Sequence, residues 1–287
     1  MEKRLFISFS GGETSAFMTQ WILDNWRDKY DEFRVVFANT GQENEETLEF
    51  VQKFSEHFGV DVVWVEGVIH EGQRKGTTHK IVDFHSADRS GASTFEPMIK
   101  KYGIPNMAMP HCTRELKVNP MKSYMRSIGW KKYDTAIGIR CDEIDRMSAD
   151  MDKKRLIYPL VNLGVRKKDI NEFWEGMPFR LNLKGYQGNC KWCWKKTIRK
   201  HCQIITENPA AYDFPERMER ENGMCGALAS KTGEMQRFFR QKLSVQNLRD
   251  IAAKGFSQPE DDSVSYGGKQ IEMNLSAGCI ESCEVEM

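Results

Sequence analysis

The chain has 287 residues, of which 40% are apolar and 29% charged, and its formal net charge is +1. That length suits one large domain, or a domain with a smaller module, and buries a core without disulfide support; the balanced charge gives no global pull toward nucleic acid or membrane. No stretch approaches the ~20 apolar residues that span a bilayer, and the apolar run after Met1-Glu2-Lys3-Arg4 is too short for a signal peptide, so the chain reads as cytoplasmic with no membrane partner.

Leu5 to Phe9 is a short apolar run closed by Ser10-Gly11-Gly12, which predicts a buried strand. Glu13 to Trp26 has Phe17 and Trp21 at helical spacing. Phe33 to Ala38 predicts a second strand, Glu45 to Phe58 a helix with acids in its first turn, and Val60 to Val65 a third strand. Strand and helix alternate, as in a parallel sheet with crossovers. Ile69 to Ser93 is polar and reads as an irregular loop, and its His70, His79 and His85 carry no assigned role. Phe95 to Tyr102 and Pro120 to Ile128 predict helices, and Asp134 to Ile139 a strand with Gly138 at its exit. The α/β pattern runs to about residue 160. Residues 161–287 differ in character: helices are predicted over Lys167–Trp174, Trp194–Glu207, Ala210–Glu221 and Gly233–Lys254, around a Gly- and Cys-bearing knuckle at Gly185–Cys193, with a Cys-containing tail.

The loop Ser10-Gly11-Gly12-Glu13-Thr14-Ser15 lies between the first strand and the first helix. Its glycines allow a close backbone approach, and amides at a helix start favour an anion. It lacks the spacing and lysine of a Walker A loop. The alternative is a tight turn with a hydroxyl cap. Eight cysteines in a reducing compartment point to metal binding or reactivity. Cys190-Lys191-Trp192-Cys193 with Cys279 and Cys283 has the arithmetic of a four-thiolate site for zinc or an iron–sulfur cluster. Cys112 is an alternative ligand, or a reactive thiol beside Arg114 and Lys117. Cys141, Cys202 and Cys225 read as small buried hydrophobes. From Arg180 to Lys200 there are several Lys and Arg, no Asp or Glu, and interleaved Tyr186, Trp192 and Trp194. That combination suits nucleic-acid contact and base stacking; the alternative is a solvated helix face whose aromatics pack inward.

Four segments carry a family resemblance. They are Ser10–Ser15, Phe37-Ala38-Asn39-Thr40-Gly41, His111–Pro120 with Cys112, Leu116 and Lys117, and Gly138-Ile139-Arg140-Cys141-Asp142-Glu143. Together they resemble the PAPS reductase family of the PP-loop ATP pyrophosphatase superfamily, in a divergent, phage-type form, with Thr14 where the superfamily more usually has Asp. The resemblance implies an adenine nucleotide alpha hydrolase-like doubly wound parallel sheet with a C-terminal helical, Cys-bearing module. It implies that Ser10, Gly11, Gly12, Thr14 and Ser15 hold phosphate, that Asn39, Thr40 and Gly138 lie near the nucleotide, and that Lys117 and Arg140 partner phosphate or sulfate, with an Arg140 ion pair to Asp142 or Asp145 as the alternative. Cys112 resembles one cysteine of the cluster-bearing APS reductases, with His111 where they have a second. The implied ligands are ATP, or PAPS or APS, with Mg2+ and a [4Fe-4S] cluster or zinc. The implied reaction is cleavage at the α-phosphate to activate a substrate, as in sulfur transfer to nucleic acid. A sulfonucleotide reductase and a non-catalytic nucleotide-dependent nucleic-acid-binding module are the alternatives. A homo-oligomer is compatible with the sequence and not dictated by it.

Overall fold

The computed structural model describes residues 2–72 and 75–263. The elements in chain order are β1 (Arg4–Phe9), α1 (Glu13–Asn25), β2 (Glu32–Asn39), α2 (Glu45–Phe58), β3 (Val62–Ile69), β4 (Thr77–Val82), α3 (Phe95–Tyr102) and α4 (His111–Thr113). A π-helical turn (Arg114–Val118) runs from α4 into α5 (Asn119–Ser127). There follow β5 (Asp134–Ala136), a 3₁₀ turn (Cys141–Arg146), α6 (Met151–Lys154), β6 (Leu156–Ile157), α7 (Pro159–Asn162) and α8 (Lys167–Glu175). After the knuckle come α9 (Ile198–Glu207), α10 (Asp213–Asn222), α11 (Gly226–Thr232) and α12 (Val245–Lys254).

The strands form one six-stranded sheet in the order β4-β3-β2-β1-β5-β6. β1 pairs in parallel with both β2 and β5. The chain therefore winds outward from β1 to β4 and then returns to the other side of β1, as expected of a doubly wound sheet. β1 has five consecutive buried residues, because a central parallel strand is covered on both faces. One face packs Leu5, Ile7, Phe9, Val35 and Phe37 under α1, α2 and α8. The other packs Phe6, Val36, Ala38 and Val65 under α5. A third cluster joins α3 to the knuckle and to α9, α10 and α12.

The sequence reading did not include the short elements α4, α6, β6 and α7, it carried β5 on to Ile139, and it differs from the fold more substantially in two places. The polar stretch after β3 is not all loop: Thr77–Val82 pairs antiparallel with β3 and closes the sheet edge. In its first half Thr77 and His79 turn inward while Thr78 and Lys80 are exposed, and His79 Nδ1 bonds Ser123 Oγ of α5 at 2.9 Å. The predicted helix over Gly233–Lys254 is instead the end of α11, an irregular stretch and α12. Gly233 takes a left-handed φ of 68° as the α11 C-cap, and Ser244 caps α12 by accepting from the Asn247 amide at 3.2 Å.

Candidate functional site

The phosphate loop leaves β1 at the point where the strand order reverses, the position at which open α/β sheets bind ligands. Gly11 has φ +82°, and a Cβ there would lie 2.7 Å from Thr47 Cγ2 and 2.9 Å from Phe37 Cε2. Only glycine lets the loop press onto α2. Gly12 is the α1 N-cap and has no side-chain cap. Among the described residues no protein group accepts from the Gly11 or Gly12 amides. Ser15 closes the turn from within, since its Oγ accepts from the Ser10 amide at 3.1 Å, bonds Ser10 Oγ at 2.9 Å and donates to Gly12 O at 2.9 Å.

These amides border a cleft of ≈ 620 Å3, counting its open mouth, lined by Ser10, Gly11, Gly12 and Thr14 on one side and by Leu181, Leu183, Lys184, Gly185, Gly188 and Asn189 on the other. Glu43, Thr47 and Lys117 complete it. Lys117 projects from the π-helical turn, a distortion that recurs at functional sites, and its side chain is 10% exposed. Its Nζ lies 3.8 Å from Glu43 Oε1. The Glu43 carboxylate also accepts from the Thr40 amide at 2.9 Å and from Thr40 Oγ1 at 2.7 Å.

The second wall is fastened to the first by Glu13, a residue with no role in the sequence reading. Its buried carboxylate meets Arg180 Nε at 3.1 Å and the Leu181 amide at 3.2 Å, while its carbonyl accepts from Trp174 Nε1 at 3.0 Å. The available signal was an acid inside a loop suited to anions, with a distant acid-free basic segment to answer it.

Other expected residues fall as follows. Arg140 is buried and its fork is engaged: Nη1 donates to Thr14 Oγ1 at 3.1 Å, and Nε pairs with Asp142 at 3.0 Å. It ties the β5 exit, with buried Gly138, to the phosphate loop. The Asn39 side-chain amide donates to Glu66 Oε1 at 2.6 Å and Asp88 O at 2.8 Å, so it supports the β2 exit and does not line the cleft. Asp88 in turn accepts from Ser90, Gly91 and Ser93; burial opposes its charge, yet these donors hold its carboxyl below the usual range.

Cys190 and Cys193 are buried on one turn, with the Cys193 amide donating to Cys190 O at 3.0 Å. Cys190 Sγ lies 3.5 Å from Thr40 Oγ1 and 3.9 Å from Glu43 Oε1. Cys112 packs against the same apolar cluster, with Trp194 Nε1 3.5 Å from its Sγ. Burial pushes His111 below the ordinary imidazole value, and its Nε2 bonds Gly103 O. Cys279 and Cys283 lie outside the described residues. Among the described residues no three His, Cys, Asp or Glu side chains converge as a metal site.

The aromatic residues of the basic segment are turned inward. Tyr186, Trp192 and Trp194 are buried, so their faces pack in the core rather than stand free for base stacking. Arg180 pairs with Glu13 and Lys184 with Glu207 at 2.7 Å. Lys196 is 2% exposed and donates to the carbonyls of Gln187, Gly188 and Cys190.

A doubly wound sheet with an uncapped glycine loop at its switch point defines a nucleotide-utilising protein of the PP-loop class. Residues 4–154 match the phosphoadenosine phosphosulfate reductase domain, and the chain belongs to that family, which uses adenosine nucleotides. It is 32% identical over 197 residues to the uncharacterized nin region protein ORF290 of Escherichia phage lambda, covering 68% of this chain and 67% of that one, in keeping with a divergent, phage-type member. It is also 25% identical over 163 residues to the uncharacterized protein MJ0973 of Methanocaldococcus jannaschii, spanning 54% of this chain but only 32% of that protein. No helix among the described residues is long and apolar enough to cross a membrane.

Proposed function

We propose that the chain is an enzyme that binds ATP, or a related adenosine nucleotide, with its phosphates on the Ser10–Ser15 loop, and cleaves at the α-phosphate to activate a substrate. The supporting observation is that Gly11 and Gly12, whose amides have no acceptor among the described residues, line a cleft that Lys117 also lines. In this reading the amides and the Lys117 ammonium stabilise charge that builds on the phosphates as the substrate's nucleophile attacks the α-phosphorus and pyrophosphate leaves. Arg140 acts by holding Thr14. Leu181 and Leu183 offer the apolar surface against which adenine packs. Residues 181–189 of the C-terminal module supply this second wall.

Mg2+ suits the hard oxygen donors at the cleft: Glu43 would hold it together with phosphate oxygens, and it would offset charge on the leaving pyrophosphate. Cys190 and Cys193 suit zinc or an iron–sulfur cluster as two of four thiolates.

Calorimetry with ATP and GTP tests the reading. ATP should bind and GTP much more weakly, and Lys117→Met should lower ATP affinity by about 10-fold or more in protein whose circular dichroism shows the fold retained. Equal affinity for both nucleotides sinks it. The position of Cys112, half-buried on the helical turn that leads into Lys117, supports a second reading, a sulfonucleotide reductase. There the Cys112 thiolate, or a tail cysteine, attacks the sulfate sulfur of PAPS or APS, the sulfur–oxygen bond to the phosphate breaks and the adenosine phosphate leaves, and an added dithiol then frees sulfite from the S-sulfocysteine and is itself oxidised to a disulfide. Dithiol-dependent sulfite release from PAPS or APS, lost in Cys112→Ser, would select it.

A further inference from the structure

We propose that a groove at the amino-terminal ends of the strands, opposite the nucleotide cleft, binds the phosphodiester backbone of a nucleic acid. The groove holds ≈ 990 Å3, counting open solvent, and is lined by Lys3, Arg4, Lys131, Lys132 and Arg155 with Glu2, Asp134 and Gly129. Both acids are engaged. Glu2 pairs with Arg4 at 2.5 Å, and Asp134 pairs with Arg155 at 2.5 Å and accepts from Tyr30 Oη at 3.0 Å. Asp31, at the same edge, accepts from the Lys3 amide at 2.7 Å. The ammonium groups of Lys3, Lys131 and Lys132 have no carboxylate partner among the described residues, and all three side chains are exposed.

The positive surface continues beyond the groove. Arg155 Nε donates to Tyr133 O at 3.0 Å, and its chain neighbour Lys154 adjoins Lys122 and Arg126 of α5. Lys122 and Arg126 are one helical turn apart and have no carboxylate partner among the described residues. Burial, and then the charges of Lys154 and Arg126, hold Lys122 below the ordinary lysine value, as expected where cations crowd without an anion. Asp150 and Asp152 precede Lys154, are exposed and do not line the groove.

In a chain of net charge +1, uncompensated cations on one edge are a local excess. Their form selects the ligand. The groups are flexible ammoniums strung along a groove, not a convergent set of donors, so they match a ligand with repeating charge better than one phosphate. The groove is concave, which suits a strand or duplex edge better than a flat bilayer. Six residues of β1 separate it from the phosphate loop, roughly 20 Å at strand rise. It is thus a second site, independent of the nucleotide reading.

The test is fluorescence anisotropy of the full chain with a short labelled DNA duplex over a range of salt. Wild type should bind, with affinity falling as salt rises. Lys131→Glu with Lys132→Glu should weaken binding by at least about 10-fold and reduce the salt slope by about 2. The milder Lys131→Gln with Lys132→Gln should act in the same direction. Melting temperature and calorimetric ATP affinity should not change, which separates this site from the cleft. Arg199→Glu with Lys200→Glu, on the knuckle side, should leave duplex binding intact. The proposal is overturned if the duplex fails to bind at low salt, if the groove variants bind like wild type, or if the knuckle pair alone abolishes binding. Displacement by inorganic phosphate at constant ionic strength, or binding to anionic phosphatidylserine vesicles in place of the duplex, overturns it equally.

Discussion

The two walls of the cleft are built on opposite principles. The phosphate loop is local: six consecutive residues set its shape, through a left-handed glycine and a serine that closes the turn on itself. The 181–189 wall has almost no regular structure, and buried polar contacts hold it to distant parts of the chain. Glu13 grips Arg180 and Leu181, Asn44 Nδ2 donates to Gln187 O at 3.0 Å, Trp192 Nε1 donates to Gln42 Oε1 at 2.6 Å, and Lys196 gathers three carbonyls. A local wall should fail by steric overlap, and a long-range wall by loss of a buried charge.

The largest effect should come from Lys196→Met. It strips a buried ammonium from the carbonyls of Gln187, Gly188 and Cys190, leaving acceptors without donors in the interior. Stability should fall on the order of 3–5 kcal/mol, read from the urea midpoint. A loss within about 0.5 kcal/mol would mean that the wall is an ordinary surface loop, and the contrast would break.

Gly11→Ala should come next. Its Cβ overlaps Thr47 and Phe37, and its φ of +82° disfavours any side chain. A cost of about 2–4 kcal/mol is expected, with loss of nucleotide binding. Gly12→Ala is the control. Its Cβ meets nothing nearer than Ser10 Oγ at 3.8 Å, and its φ is −102°. Its melting temperature should stay near wild type. Equal melting losses at the two glycines would sink the steric account.

The same division explains what could be read in advance. The strand–helix alternation from β1 to β3 and the glycine turn after β1 follow from short-range pattern, and α2 and α3 were legible to the residue, whereas the strand order was not, because pairing between distant strands leaves no local mark. Thr77–Val82 was hidden because an edge strand facing water carries little apolar signal, even though Thr77 and His79 turn inward. Charge in the basic segment is visible in sequence and pairing is not: Arg180 and Lys184 find partners far away in the chain, and Lys196 finds them inside the knuckle. Glu13 was illegible for the complementary reason, since an acid at a helix start has a sufficient local explanation in the dipole.

Glu13→Ala tests the joint between the walls. It leaves Arg180, itself 28% exposed, without its carboxylate and the Leu181 amide without an acceptor. A cost of about 2–3 kcal/mol is expected. A double-mutant cycle with Arg180→Ala should show coupling of about 1 kcal/mol or more. Additive losses would separate the two walls.

Glu219 repeats the Glu13 arrangement away from the cleft, and so isolates the stability of the fold from the state of the site. Its carboxylate on α10 accepts the Phe238 amide at 3.2 Å and the Val245 amide at 3.2 Å, fixing the stretch between α11 and α12. Arg237 stands 3.5 Å away and is 30% exposed, and Glu216 on the same helix adds like charge. Burial dominates and raises the carboxyl to about 7. The folded value lies above the unfolded one, so the contribution is full below about pH 4.5 and is lost as pH rises through about 7. The loss should be on the order of 3 kcal/mol across that window. Glu219→Gln should flatten this part of the urea-midpoint profile while leaving ATP affinity unchanged at every pH. If wild type and variant keep parallel profiles, Glu219 ionises as an ordinary carboxylate and the two buried carboxylates differ in kind.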